Sequence, residues 1–290
     1  MRNRFIDHLC KLASKNKDIA LVVGDLGYGV VEKFQKMFPN RFYNVGVAEQ
    51  NMINFSCGLA SKGMHVFVYS IANFPTFRCL EQIRNTLDFH KFNVTIVSVG
   101  GGVAYGSLGY SHHAVQDYAI MRINNNIDIL APSDPTETEM CLNFLINNPG
   151  PSYLRLGKAG EKLQHDKIKK ILPLELLPIY KSKNKVPNVI ISTGTAIYKA
   201  KDLLKKKQFK NYSLFTMPIW GKRYKSKFKK KLLKFQNIVT VEDHLQDGGF
   251  GSWVKESVRP GKCLIKSYYL SEKIIGMVGS QKEMSIFKSD

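Results

Sequence analysis

Short apolar runs alternate with helix-length stretches of mixed polarity along most of the chain. The first such stretch, residues 2–14, sets Phe5, Leu9, Cys10 and Leu12 as the apolar positions of an amphipathic helix. Ile19-Ala-Leu-Val-Val23 reads as a buried strand ending at Gly24-Asp25. A helix is predicted over 30–37, a strand over 41–45 and a helix from 49 to 60. Further strands are predicted at 65–69, 94–99, 127–130 and 152–156, with helices at 77–89 and 135–147 between them. The strand at 94–99 opens into Gly100-Gly-Gly102. Strands and helices alternating at this spacing predict a parallel sheet with helices on both faces.

Residues 161–187 lose the periodicity and are rich in lysine and proline, which predicts a linker. A second unit follows, with strands at 189–192, 212–215 and 237–241 and a helix over 196–206. Gly248-Gly-Phe-Gly251 opens another helix; such a turn can hold an anion, although packing is the favoured reading here. The predicted fold class is therefore α/β with two domains, 1–160 and 188–290, each a mainly parallel sheet with helices on both faces. A chain of 290 residues can bury two such cores.

Composition removes several classes of function. No run of about 18 or more apolar residues offers a membrane span, and the first ten residues carry charge throughout with no secretory core. The five cysteines (Cys10, Cys57, Cys79, Cys141 and Cys263) are scattered and lack Cys-x-x-Cys spacing. They predict reduced thiols in a cytoplasmic protein, with neither a disulfide framework nor a structural zinc site. The formal net charge of +20 raises the question of nucleic acid. Much of the excess is lysine between 199 and 234, where arginine is scarce and aromatics are not interleaved as stacking platforms. A solvated lysine face accounts for that pattern, and no nucleic-acid partner is expected.

The chemistry centres on Glu49, which stands just beyond Gly46 where a strand meets a helix. A carboxylate in that place either caps the helix or is aimed at a ligand. The segment Gly46-Val47-Ala48-Glu49-Gln50-Asn51-Met52 resembles the Gly-Val-x-Glu-x-x-Met segment of the transketolase pyrimidine-binding domain. The resemblance continues in order through Gly24-Asp25-Leu26, residues 69–82, Ser111-His112, Pro132-Ser133-Asp134 and Val241-Glu242-Asp243.

That resemblance implies thiamine diphosphate, with its pyrimidine half bound here and Glu49 sharing a proton with N1′ of the ring. Tyr69, Phe74 and Phe77 would supply the aromatic wall, Tyr69 aligning best. For Phe77, core packing is an equal reading. Arg78 would join the cofactor contacts, and Asp25 would lie near the thiazolium. The family's loop histidine falls on His112, which would meet substrate oxygens or shuttle a proton, with His113 second. Lys158, with Arg155 nearby, stands where the family has a phosphate-binding arginine. Two adjacent histidines could bind metal, but no carboxylate or cysteine has useful spacing, so no metal ligand is expected in this chain.

Departures from the family pattern shape the rest. Leu108 replaces an aspartate that reads a sugar hydroxyl, and Gly100 to Gly102 replace an expected histidine. Leu26 stands where a Gly-Asp-Gly magnesium motif would need its second glycine. The diphosphate and Mg²⁺ should therefore be held by a separate N-terminal subunit, with the site formed across that interface in an α₂β₂ assembly. The resemblance implies the C-terminal subunit of a split transketolase, moving a two-carbon ketol unit between sugars or sugar phosphates. Leu108 fits modified sugars of a surface-polysaccharide pathway. The β-subunit of a 2-oxo-acid dehydrogenase, a deoxyxylulose-phosphate-synthase-like enzyme and an inactive regulatory subunit stay open as alternatives.

Overall fold

The computed structural model describes residues 1–183, 187–258, 261 and 263–290. Helix α1 (Arg2–Lys15) precedes β1 (Ile19–Val23), followed by α2 (Glu32–Met37), β2 (Phe42–Asn44), α3 (Glu49–Ala60) and β3 (His65–Ile71). Two short helices, α4 (Phe74–Phe77) and α5 (Leu80–Gln82), run into a π-helical stretch at Ile83–Asp88 before β4 (Val94–Val99). Then come α6 (Asp117–Arg122), β5 (Asp128–Leu130), α7 (Pro135–Asn147) and β6 (Ser152–Leu156). The second half holds β7 (Leu177–Tyr180), β8 (Asn188–Ser192), α8 (Ile197–Leu204), β9 (Ser213–Thr216) and β10 (Ile219–Trp220). It ends with α9 (Lys225–Leu232), β11 (Asn237–Val241), α10 (Phe250–Glu256), β12 (Leu264–Leu270), α11 (Gln281–Met284) and β13 (Phe287–Ser289).

The first sheet has the order β10-β5-β6-β4-β3-β1-β2 and is parallel except for β10, which runs antiparallel to β5. The second has the order β13-β12-β11-β8-β9-β7, with β13 and β7 antiparallel at its edges. The α/β class and the two mainly parallel sheets agree with the pattern read from the sequence. Two strands cross the expected boundaries. β7 lies inside the segment expected to be a linker (of which 184–186 fall outside the described residues), and β10 comes from the second half to complete the first sheet.

Side chains alternate across the first sheet, so each face has its own core. Phe67 and Tyr69 of β3 pack with Phe5 and Leu9 of α1, while Val66 and Val68 pack with Met52 and Ile53 of α3. The second of these cores continues into the other half through Trp220, Phe228, Phe250 and Trp253. Trp253 Nε1 donates to the Gly221 carbonyl at 3.1 Å and Trp220 Nε1 to Thr193 Oγ1 at 3.2 Å, so neither indole is buried unsatisfied.

The helix predicted over 77–89 starts earlier, at Phe74, and is broken. Pro75 suits a first turn, where a missing N–H goes unneeded. The π-helical winding from Ile83 is a geometry frequent beside functional sites. Helix α7 falls where expected, because Asp134 caps it by accepting from the Glu137 amide at 2.7 Å.

One buried polar chain crosses the first sheet. His65 Nε2 lies 3.0 Å from Thr95 Oγ1, which is 2.8 Å from Ser152 Oγ. Burial lowers the His65 pKa to about 4 from 6.5. Between those values the unfolded chain binds more protons than the folded one, so stability is expected to rise with pH from about 4 to about 6.5 and to be lost on acidification. Urea midpoints measured across that window should show the slope in the native chain. The slope should be shallower in a His65→Gln variant.

Candidate active site

The chain leaves β1 for the edge strand β2 and then returns to β3 on the other side of β1. A crevice at the C-terminal ends of strands around such a reversal is the ordinary ligand site of an open parallel sheet. Three connections meet there: Gly24-Asp25 after β1, Gly46 to Glu49 after β2, and Ala72 to Arg78 after β3.

Glu49 opens α3 but makes no capping bond to it. Its side chain is 1% exposed and accepts from Arg78 Nη1 at 2.6 Å through Oε2, while Oε1 is buried without a partner. The capping alternative therefore does not describe it: the carboxylate faces another element, with one oxygen left over. A Cβ at Gly24 would meet the Glu49 Cγ at 3.7 Å, so the end of β1, and Asp25 with it, borders the carboxylate. Asp25 accepts from Asn44 Nδ2 and Tyr28 Oη, each at 3.0 Å, and these bonds hold its pKa below the ordinary aspartate value.

A cavity of about 480 Å³ adjoins this corner, lined in part by Phe74, Phe77, Arg78, Tyr110, Ser111 and His113. The Arg78 guanidinium lies 4.9 Å from the Phe74 ring centre, and the His112 ring meets the same phenyl edge-on at 5.2 Å. Burial, and then the neighbouring His113, keep His112 below the ordinary histidine pKa, so it is neutral at pH 7. His113 is buried; its Nε2 donates to the Gly106 carbonyl at 3.3 Å and its Nδ1 has no partner. Phe77 is 45% exposed at the cavity, so core packing does not hold it.

Two expectations are corrected. Tyr69 is not part of an aromatic wall here. It lies within β3, on the face toward α1, and stacks on Phe5 at 5.9 Å between centroids. Counting residues cannot tell a side chain at the end of a strand from one on its far face. Arg155 is likewise unavailable to substrate. It is 3% exposed and gives its donors to Asp117, Asp243, Tyr118 Oη and the Ala114 and Asp243 carbonyls. Lys158 is exposed beyond β6 with Nζ 5.0 Å from the Tyr105 ring, and it is not among the residues lining the cavity.

The glycines that replace an expected histidine have a packing reason. A Cβ at Gly101 would lie 2.6 Å from the Arg155 guanidinium, and one at Gly102 would lie 2.9 Å from Asp243 Oδ2. The turn at Gly248 to Gly251 binds no external anion, because Glu242 already accepts from the Phe250 and Gly251 amides at 2.5 and 2.8 Å. Burial pushes the Glu242 carboxyl up to about 8 against the pull of those two bonds.

Sequence reading missed Asn73, Tyr110 and Gln116. Asn73 Nδ2 donates to the carbonyls of Ser111 and His113, at 3.0 and 2.9 Å, and so fixes the histidine loop against the end of β3. Tyr110 Oη donates to Gln116 Oε1 at 3.1 Å across the cavity wall. No periodicity marks such loop-to-loop bonds.

Residues 1–160 match the family described as transketolase, pyrimidine binding domain. The chain belongs to the transketolase family. Among its relatives is one of the subunits of the apulose-4-phosphate transketolase of Phocaeicola vulgatus, 32% identical, with the match covering 89% of this chain and 83% of that protein. The putative transketolase C-terminal section of Methanocaldococcus jannaschii is 33% identical over 89% of this chain and 81% of its own length. A solved structure, described as a split gene transketolase, inactive β4 tetramer, superposes with a TM-score of 0.79 at 27% identity. That match covers 93% of this chain and 89% of the other.

The family implies thiamine diphosphate, and the residues fit its pyrimidine half. A ring of that kind needs a carboxyl with a free oxygen, an aromatic face and room beside both. Glu49 Oε1 is the free oxygen and Phe74 the face, and the cavity lies beside Phe74 with Arg78 between it and Glu49. Among the described residues no cluster of His, Cys, Asp and Glu could hold a metal ion, and no helix is long and apolar enough to cross a membrane.

Proposed function

We propose that this transketolase-family chain is the C-terminal subunit of a two-component enzyme that transfers a two-carbon ketol unit between sugars. The observation that carries the reading is the buried Glu49 carboxylate, with one unpartnered oxygen, directly behind an aromatic-walled cavity. Thiamine diphosphate, held by Glu49 and Phe74, would supply the nucleophilic carbon and electron sink that ketol transfer requires. The protein's part is narrower. Glu49 holds a proton at the ring nitrogen, Phe74 presents a face for the ring, and His112, neutral at pH 7, exchanges protons with substrate oxygens. His113 Nδ1, an unpartnered acceptor, suits a substrate hydroxyl.

Relatives named as one of the subunits of a transketolase and as a C-terminal section, each matched along most of its length, support a divided enzyme. On this reading the Mg²⁺ and the diphosphate cradle come with the partner chain, and the two chains assemble as α₂β₂. Phe77, Leu108, Tyr110 and Val278 are all exposed and apolar, which suits a surface that the partner covers. The Phocaeicola relative is named for a sugar phosphate, and Lys158, exposed beyond β6 and outside the cavity lining, would meet such a group as a point charge rather than a fork. Leu108, in place of the family's aspartate, favours a sugar lacking one hydroxyl or carrying an added group, as in surface-polysaccharide pathways.

The test is reconstitution. Ketol transfer should appear only when this chain, an N-terminal transketolase chain, thiamine diphosphate and Mg²⁺ are combined. Tight Mg²⁺-dependent cofactor binding by this chain alone would overturn the divided site. Release of CO₂ from a 2-oxo acid would instead indicate a decarboxylating relative. Full activity on unmodified xylulose and ribose phosphates would dispose of the modified-sugar part.

A further inference from the structure

Arg78 engages both groups that a bound pyrimidine would use, the Glu49 carboxylate through one of its two oxygens and the Phe74 ring. Its Nη1 donates to Glu49 Oε2 at 2.6 Å, and its planar guanidinium lies 4.9 Å from the Phe74 ring centre. Arg78 lines the cavity and is about half exposed, whereas Glu49 is 1% exposed and does not line it. The arginine therefore stands between the cavity and the carboxylate. Among the described residues nothing else in the cavity reaches Glu49: its other oxygen is buried and empty.

The protonation states also oppose one another. An arginine pairs with an ionised carboxylate, whereas proton sharing with a ring nitrogen needs the carboxylic acid. Arg78 and the ring thus ask for the same surface in different forms. We infer that Arg78 is an internal plug: in the chain alone it takes the place of the heterocycle, and assembly of the active site requires its displacement. This rests on the pyrimidine site proposed above and adds a reason for the chain alone to be inactive beyond the missing diphosphate cradle. Arg78 suits a movable part, since it sits at the break between α4 and α5 and not inside a continuous helix.

The test uses the isolated full chain and a probe without phosphate, 4-amino-5-hydroxymethyl-2-methylpyrimidine, followed by NMR titration. Arg78→Ala is expected to bind the probe roughly tenfold more tightly than the native chain, the scale of one hydrogen bond to a charged group. Arg78→Lys, which keeps the charge but loses the planar fork, should gain less. Adding Glu49→Gln to Arg78→Ala should remove the gain. Thermal midpoints within a few degrees of native would show each variant folded. Equal or weaker binding by Arg78→Ala overturns the plug. If the native complex meanwhile transfers ketol units, the functional reading stands without it; if the complex is also inert, both fall.

Discussion

Ketol transfer by the reconstituted complex is expected to fall about 10²–10⁴-fold when Glu49 is replaced by Gln, with assembly intact, the range typical for loss of a positioned proton donor. Glutamine has nearly the same shape, keeps an acceptor oxygen for Arg78 and adds no bulk beside Gly24, so the packing of α3 should survive. What it cannot do is give up a proton and take it back. Glu49→Asp separates position from chemistry: it retains the acid but withdraws it by one methylene, and a shift of about 1 Å can cost on the order of 10²-fold. Initial rates at saturating cofactor give the loss, and sedimentation of the mixed subunits checks assembly. An unchanged rate in Glu49→Gln would reduce Glu49 to a packing residue, and the proposed chemistry would lose its proton carrier.

The sequence made legible whatever depends on local pattern. The strand–turn–helix around Glu49 follows from the apolar run at 41–45, the glycine at 46 and the helical spacing of Met52 and Ile53. The Asp134 cap, with Pro135 behind it, could be expected from residue type alone. What stayed hidden depends on contacts between distant segments. β10 is two residues long and pairs with a strand about ninety positions earlier, so no periodicity announces it. Tyr69 and Phe74 are five residues apart and equally aromatic. Only the direction of β3 places one in the core beside α1 and the other at the cavity. Arg155 misled for a related reason: an arginine near a candidate phosphate site looks the same in sequence whether it faces a substrate or two aspartates.

Those aspartates give Arg155 a large structural effect. Its Nε donates to Asp117 Oδ2 at 2.7 Å and its Nη1 to Asp243 Oδ1 at 2.5 Å, with the guanidinium 4.3 Å from the Tyr118 ring centre. Asp117 is fully buried and also accepts from Tyr153 Oη, while Asp243 accepts from Thr195 Oγ1. One cation therefore neutralises a carboxylate from each half of the chain. Arg155→Met would keep much of the volume and leave both acids unpaired, a loss expected to cost about 3–5 kcal/mol and to lower the thermal midpoint by on the order of 10 °C. Arg155→Lys should recover little, because an ammonium cannot reach two carboxylates and two carbonyls as the planar fork does. Thermal unfolding of the isolated chain measures this without substrate or partner. A substrate-binding arginine predicts the opposite, a raised KM with an unchanged midpoint, so the two measurements decide between anchoring the halves and reading a phosphate.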